Sequence, residues 1–340
     1  RSRGNGWEIF NEHESGFDSG WDPGCNCETP IKYTYLPPPK MYAQMIRDAI
    51  AVLEVTNPGE PTVLGGAWEA DAWALAKGKD TGWYAQVLQE LNKDEGLLTS
   101  VGLHTYGQPE ASYELITGLQ TRTPLPFWLT ETGIHIGEPD SKGNCPASGQ
   151  PCGSEEEQAA YVVQQYIWAL RAFRDTGRPG KVFHFAFKDL DLPWGLLQTG
   201  GPREAYNAFR FIVHTLYGAT YQEWEETDNY KRAIFTNSTQ RISVLWSKES
   251  SAQMVVIPAA SPEARLYDQN GVQIHALGQP TTEPITPVNG VYQFYLPGIT
   301  HPTGRSRTRI LIESAVPSTP PQGSASVICQ NGRPVAIGLW

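Results

Sequence analysis

The sequence predicts an α/β protein in which a (β/α)8 TIM-barrel region is followed by an antiparallel β-sandwich domain. Three observations carry this expectation. Short apolar strands alternate with amphipathic helices five times between Trp7 and Gly218, and strands joined by helical crossovers pair in parallel. Polar residues gather where those strands end, at Asn11-Glu12, His104 to Tyr106 and Glu131; barrels and doubly wound sheets both bind ligands at that end. No GxGxxG or Walker loop follows any strand, which removes the commonest uses of the doubly wound sheet and favours the barrel.

Trp7 to Phe10 is the first expected strand. Tyr42, Met45, Ile46, Ala49, Ile50 and Leu53 then recur at helical spacing until Asn57-Pro58-Gly59 stops them. Thr62 to Gly65 is the second strand, followed by a helix over Trp83 to Leu91. Val101 to His104 is the third, with a helix over Ser112 to Leu119 behind it, and Phe127 to Thr130 is the fourth. Ser154 and Glu157 form a capping box that opens a long helix, whose Val162, Val163, Tyr166, Ile167, Leu170 and Phe173 share one face. Val182 to Phe187 is the fifth strand, and Ala205, Ala208, Phe209, Ile212, Val213 and Leu216 mark a final helix. Beyond Gly218 the segments Ile242–Trp246, Gln253–Ile257, Ala264–Tyr267 and Val291–Leu296 are short and β-branched or alternating. The turns between them include Asp268-Gln269-Asn270-Gly271 and Asn289-Gly290. The expected organisation is a barrel region over 1–218, a sandwich over 219–315, and a Pro/Ser-rich tail over 316–340 with one candidate last strand.

Composition narrows the function. With 40% hydrophobic and 18% charged residues, the 340-residue chain can bury a core, and its length suits two domains. Lys plus Arg number 26 against 36 Asp plus Glu, and the resulting net charge of −10 argues against nucleic acid or an anionic membrane as partner. No apolar run is long enough for a transmembrane span, and no signal peptide is visible. Eleven Trp and 15 Tyr supply flat apolar faces of the kind on which sugar rings stack, and of the kind that fills ordinary cores. Cys145 and Cys152 bracket a Gly/Pro/Ser-rich loop that a disulfide could close, which suits an oxidising compartment. Cys25 and Cys27 lie too close to bridge each other easily, with Cys329 a candidate partner. No CxxC or HExxH pattern favours zinc, and Asn237-Ser238-Thr239 is a lone glycosylation sequon.

Glu12 and Glu131 each stand at the C-terminal end of an expected parallel strand. Two such carboxyls facing one pocket are what glycoside hydrolysis needs: one protonated to donate to the leaving oxygen, the other ionised to attack the sugar carbon or activate water. Retention requires them about 5–5.5 Å apart and inversion roughly 6.5–9.5 Å. For an arbitrary glutamate the ordinary reading is a surface ion pair; their place at two strand ends raises the chemical one.

The neighbouring residues resemble a known group. Trp7-Glu8-Ile9-Phe10-Asn11-Glu12 is similar to the W-E-x-x-N-E signature ending the fourth barrel strand of clan A glycoside hydrolases. Trp128-Leu129-Thr130-Glu131-Thr132-Gly133 is similar to the T-E-x-G signature of that clan's seventh strand, and His104-Thr105-Tyr106 to the H-x-Y of its sixth. Phe185 to Asp189, Trp194 to Leu197 and Pro202 to Tyr206 resemble the eighth strand and helix of the xylosidase/iduronidase-like and related endoglycosidase branch. The resemblance implies Glu12 as acid/base and Glu131 as nucleophile of a retaining mechanism. It implies Asn11 on the sugar 2-hydroxyl, Tyr106 donating to Glu131, and His104 shaping the same wall. Trp194, Phe187 and His13 are further candidates for substrate contact, with Glu14, Trp21, Trp68 and His135 as outlying ones. Phe187 stands where many clan members have Trp, and His13-Glu14 replaces the commoner P-N or P-D pair. If Trp7–Glu12 matches the fourth strand, three strands are missing, and an N-terminal segment of a longer polypeptide is expected to complete the barrel.

These readings converge on a retaining glycosidase acting on a β-linked oligo- or polysaccharide, extracellular or at the cell surface, with no metal or organic cofactor implied. The alternative from another class is a carbohydrate-binding or structural surface protein that kept the pocket and lost turnover. A Ser/His/Asp hydrolase lacks its G-x-S-x-G elbow in this sequence.

Overall fold

The computed structural model describes residues 7–9, 38–67, 69–79, 81–94, 96–140, 144–145, 151–189, 192–299 and 305–314. Asn11, Glu12, His13, Glu14, Trp21, Trp68, Cys25, Cys27, Cys329 and the 316–340 tail lie outside the described residues.

Five parallel strands form the first sheet: β1 (Trp7–Ile9), β2 (Thr62–Ala67), β3 (Ser100–Tyr106), β4 (Phe127–Gly133) and, after two short strands β5 (His135–Ile136) and β6 (Cys152–Gly153), β7 (Lys181–Val182). They lie side by side in chain order, β1-β2-β3-β4-β7. A doubly wound sheet would reverse its order at a switch point; an unreversed order is that of a singly wound arc. The crossovers are α1 (Pro39–Thr56), α2 (Glu69–Ala76) with α3 (Trp83–Leu91), α4 (Ala111–Leu119) and α5 (Glu155–Thr176). A small hairpin, β8 (Leu197–Gln198) with β9 (Gly201–Pro202), leads into α6 (Glu204–Leu216).

Local chemistry sets these boundaries. α1 opens on Pro39 after an extended Pro38, where a missing N–H costs nothing, and it buries Tyr42, Ala43, Ile46 and Ile50 on one stripe. In α5 the Ser154 hydroxyl accepts from Glu157 N and the Glu157 carboxylate accepts from Ser154 N, a complete capping box. Its far end closes on Gly177 in the left-handed conformation, with Arg178 N reaching Phe173 O. The single apolar face read for α5 understates its burial, since Gln158, Gln164 and Gln165 are buried as well. The helix is sandwiched: Ala159, Val162 and Val163 share a core with Leu103 and Leu129 of the parallel sheet, while Gln164 Nε2 donates to Ser306 O of the β-rich half.

Among the described residues, the strand pairs of that half are antiparallel. One sheet has the order β10 (Thr220–Glu226), β11 (Tyr230–Thr236), β12 (Gln240–Ser247), β17 (Thr308–Ser314), β14 (Ala264–Asp268) and β15 (Gln273–Ile274). A second pairs β13 (Gln253–Pro258) with β16 (Val291–Leu296). The period of two sends alternate residues to two cores. Ile242, Val244 and Trp246 of β12 and Ile310 of β17 join the helices, whereas Leu245 and Leu311 meet Tyr292, Phe294 and Leu296 of the small sheet. Asn289 and Gly290 both take positive φ in a tight turn, Val288 and Val291 exchanging both backbone hydrogen bonds.

Two expectations need correction. The segment Glu-Ala-Asp-Ala-Trp-Ala-Leu-Ala of α2 shows no apolar stripe, so pattern alone did not reveal a helix there. The fifth strand, expected over Val182–Phe187, is regular only at Lys181–Val182. Beyond it Phe183 N and Phe185 N still donate to Leu129 O and Thr132 O, three residues of β4 against two.

Replacing the exposed Ser154 by Ala removes half the capping box; stability is expected to fall by about 1 kcal/mol, read as a lowered denaturant midpoint at unchanged slope.

Candidate active site

The site is built on the C-terminal ends of β3 and β4. In register, Leu103 lies beside Leu129, but the next residue, His104, lies beside Glu131, so β4 carries one extra residue at Thr130. This β-bulge decides which way Glu131 faces. Leu129 packs into the helix-side core, and Trp128 packs with Val63 and Phe183 on the opposite face. Regular alternation would return Glu131 to the helix side with Leu129. The extra residue reverses the phase and places Glu131 level with His104, whose neighbour Leu103 is the helix-side one.

The Glu131 carboxylate consequently meets two side chains of β3. The Tyr106 hydroxyl donates to Oε2, and His104 Nδ1 lies 3.6 Å from the same oxygen. His104 is almost wholly buried, whereas the Glu131 side chain retains 18% exposure, so a ligand can reach it. Room for the imidazole comes from β2: a Cβ at Gly66 would stand 1.9 Å from His104 Nε2. A hydroxyl donated to a carboxylate favours the ionised form.

An aromatic wall stands beside this pair. The Trp194 ring meets Tyr106 edge-on at 5.3 Å, Phe185 at 5.8 Å and His135 at 5.1 Å between centroids. The Gln158 amide donates to Trp194 O and Ile134 O, at 3.1 and 3.0 Å. Asp189 accepts from Gly195 N at 2.9 Å and from the buried Arg203 at 2.6 Å, fixing the loop that carries Trp194. Phe187, the aromatic expected from the strand end, packs instead with the apolar core, and Phe185 is the ring at Tyr106. One residue of offset in an irregular strand end separates the two, and nothing in the pattern of Phe183, Phe185 and Phe187 distinguishes them. Gln158 carried no local signal as a site residue.

Cys145 and Cys152 form a disulfide with Cα atoms 5.6 Å apart. It joins Cys145 to β6, and His135 Nδ1 of β5 lies 4.0 Å from Cys145 Sγ. These three residues converge closely enough to suggest metal ligands, but both sulfurs are spent in the disulfide. His184, one residue before Phe185, is buried; burial pushes its imidazole down to about 4, a contact with the Trp194 backbone opposing in part.

The fold is similar to that of solved glycoside hydrolases. A family 39 glycoside hydrolase from the gut symbiont Bacteroides cellulosilyticus WH2 matches with a TM-score of 0.58 and 18% identity, over 91% of this chain and 58% of that one. A thermostable GH51 α-L-arabinofuranosidase from Thermotoga petrophila RKU-1 matches with a TM-score of 0.51 and 12% identity, over 83% of this chain and 63% of that one. This chain therefore spans less than two thirds of the length of either structure. At such identities the likeness establishes a shared fold. No family model matches the chain, and no curated protein matches it in sequence.

Gly66→Ala is expected to collide with His104 and destabilise the protein by about 1–3 kcal/mol, measured by denaturant unfolding. A second expectation concerns pH. His184 binds fewer protons folded than unfolded, so its stabilisation is complete above about 6.5 and is lost as pH falls toward about 4. Between pH 7 and 5, wild type should lose on the order of 2 kcal/mol more than His184→Gln.

Proposed function

We propose that this protein is a glycoside hydrolase working by double displacement, with Glu131 as nucleophile and Glu12 as acid/base. The observation that carries the reading is the Glu131 carboxylate. It stands at the mouth end of a parallel strand, partly open, receives the Tyr106 hydroxyl, and is flanked by His104 and an aromatic wall. A carboxylate meant to attack carbon must be ionised, and a hydroxyl donor favours that form.

In the first step a Glu131 oxygen bonds to the anomeric carbon as the glycosidic C–O bond breaks, and the Glu12 carboxyl gives its proton to the departing oxygen. In the second, Glu12 takes a proton from water, whose oxygen displaces Glu131 from the anomeric carbon and releases the sugar with its original configuration. Asn11 is assigned to the sugar 2-hydroxyl and Trp194 to the ring face, with Phe185 beside it; His13 is placed on the leaving-group side. In sequence, Glu12 follows the last residue of β1, Ile9, by three positions.

The substrate class is an oligo- or polysaccharide, with a β linkage expected from the two glutamate signatures. A GH51 neighbour carries the name of an α-L-arabinofuranosidase, so β-D-xylosides and α-L-arabinofuranosides form the first two arms of an assay. A disulfide beside the site supports an extracellular or cell-surface location. Among the described residues β1 pairs only with β2 and β7 only with β4. Further parallel strands, from the same polypeptide or another, would close this sheet into a barrel.

The test is a pair of substitutions on activated aryl glycosides. Glu131→Gln should lower kcat by at least about 10³-fold. Glu12→Gln should slow hydrolysis of poor leaving groups far more than good ones, and azide should restore turnover with formation of a glycosyl azide of retained configuration. Sugar affinity that survives both substitutions, with no turnover by wild type on any arm, would instead favour a binding protein.

A further inference from the structure

Arg305 lies in the β-rich half, two residues before Arg307 and next to Ser306, whose bridge to Ile299 leads into β17. Its side chain points away from that half. It is 3% exposed, and its guanidinium donates through Nη1 to Gly107 O at 2.9 Å and through Nη2 to Cys152 O at 3.2 Å. It also lies 5.8 Å over the Tyr161 ring. A buried guanidinium is costly unless its donors are matched, and burial lowers its proton affinity, with Glu157 opposing. The carbonyls of Gly107 and of Cys152 in β6, with one aromatic face, match the two terminal nitrogens, while Nε is left without a hydrogen-bond partner among the described residues.

Two of the contacts lead to the Tyr106–Glu131 pair and the third to the Trp194 wall. Gly107 directly follows Tyr106, adopts φ +86°, and its N–H reaches Gly133 O, two residues beyond Glu131. The Tyr161 hydroxyl lies 2.6 Å from Thr132 Oγ1, next to Glu131, and donates to Thr105 O at 3.4 Å, next to Tyr106. Cys152 belongs to β6, which pairs with β5, and β5 carries the His135 ring that faces Trp194. The segment after β3 and two parts of the β4–β7 crossover, β6 and α5, thus share one cation supplied by another part of the chain.

From this convergence we infer that Arg305 is a positioning residue: the β-rich half uses it to hold Tyr106 against Glu131 and to set the spacing between that pair and the Trp194 wall. The inference deepens the glycosidase reading and rests on it for its kinetic consequence, though its geometric consequence stands alone. Lysine does not reproduce the residue, since its three donors share one nitrogen and lack the planar fork that spans the two carbonyls.

The experiment compares wild type, Arg305→Lys, Tyr106→Phe and the double variant. In the crystal structure of Arg305→Lys, Tyr106 Oη and Glu131 Oε2 should separate beyond about 3.5 Å; an unchanged contact overturns the inference whatever the activity. On an activated glycoside, kcat should fall roughly tenfold in Arg305→Lys, a loss comparable to one charge-assisted hydrogen bond. The acid limb of its pH profile should move to higher pH, because a carboxylate that loses a donor ionises less readily. In the Tyr106→Phe background, Arg305→Lys should add little. A lowered melting temperature with an unmoved acid limb, or fully multiplicative losses, would mean that Arg305 only supports the fold. Should Arg305→Lys fail to fold, Tyr161→Phe keeps the ring and removes the hydroxyl's contacts with Thr132 Oγ1 and Thr105 O. A several-fold lower kcat with the same acid-limb shift is expected there, and an unchanged profile would contradict the inference. A wild type inactive on every sugar would sink the glycosidase reading, leaving the crystallographic distance to decide this one.

Discussion

One extra residue in β4 governs what the rest of the molecule can do. With Thr130 inserted between the pairings Leu103–Leu129 and His104–Glu131, Leu129 keeps its place in the helix-side core while Glu131 turns to the face of His104. Without it, a carboxylate would be driven into the apolar layer between sheet and α5, where an unpaired charge costs several kcal/mol. The bulge therefore serves packing and chemistry together. The core residue before it and the acid after it can both sit where their polarity requires, on faces that a strict period of two would not allow.

The same offset recurs beside β4, after β7, and one strand further away, between β2 and β3. β7 matches three residues of β4 with two of its own beyond Val182, and β2 shifts against β3 between Leu64 and Ala67, just where Gly66 makes space for His104. Neighbouring strands have adapted to the irregular end of the sheet. The strand end is thereby bound to one geometry: the Gly133 position tolerates no side chain against Phe185 O, 2.5 Å from an added Cβ. Around it, α5 is the common beam. Gln158 fixes the Trp194 loop, Tyr161 touches both Thr132 and Thr105, and Gln164 reaches Ser306 in the β-rich half. Placing hydrogen-bonding side chains on one buried helix makes the site a property of both halves of the chain.

Much of this frame was legible in the sequence, for reasons that differ by element. α1, α3, α5 and α6 have apolar residues at helical spacing and, in α5, a capping box, so their periodicity exposed them. α2 was missed because its alanines and acids form no stripe. The strands of the β-rich half that alternate, such as Val291–Leu296, were visible; Thr308–Ser314 was not read, being apolar or polar without strict alternation and buried on both faces. Glu131 stood out by its place after an apolar run, while the partnership with Tyr106 came from resemblance to a known signature. The bulge at Thr130, the choice of Phe185 over Phe187, and the reach of Arg305 could not be read. Each depends on register or on contacts between segments far apart in the chain, and neither leaves a local pattern.

The central claim is that the bulge presents Glu131 as a nucleophile. Incubation of the protein with activated 2-deoxy-2-fluoro glycosides, followed by intact mass and peptide mapping, tests it most directly. The account predicts a single glycosyl adduct on the peptide that contains Glu131, lost in Glu131→Gln. An adduct on a different carboxylate, or turnover of a natural polysaccharide with inversion and no adduct from any glycone length, would contradict it.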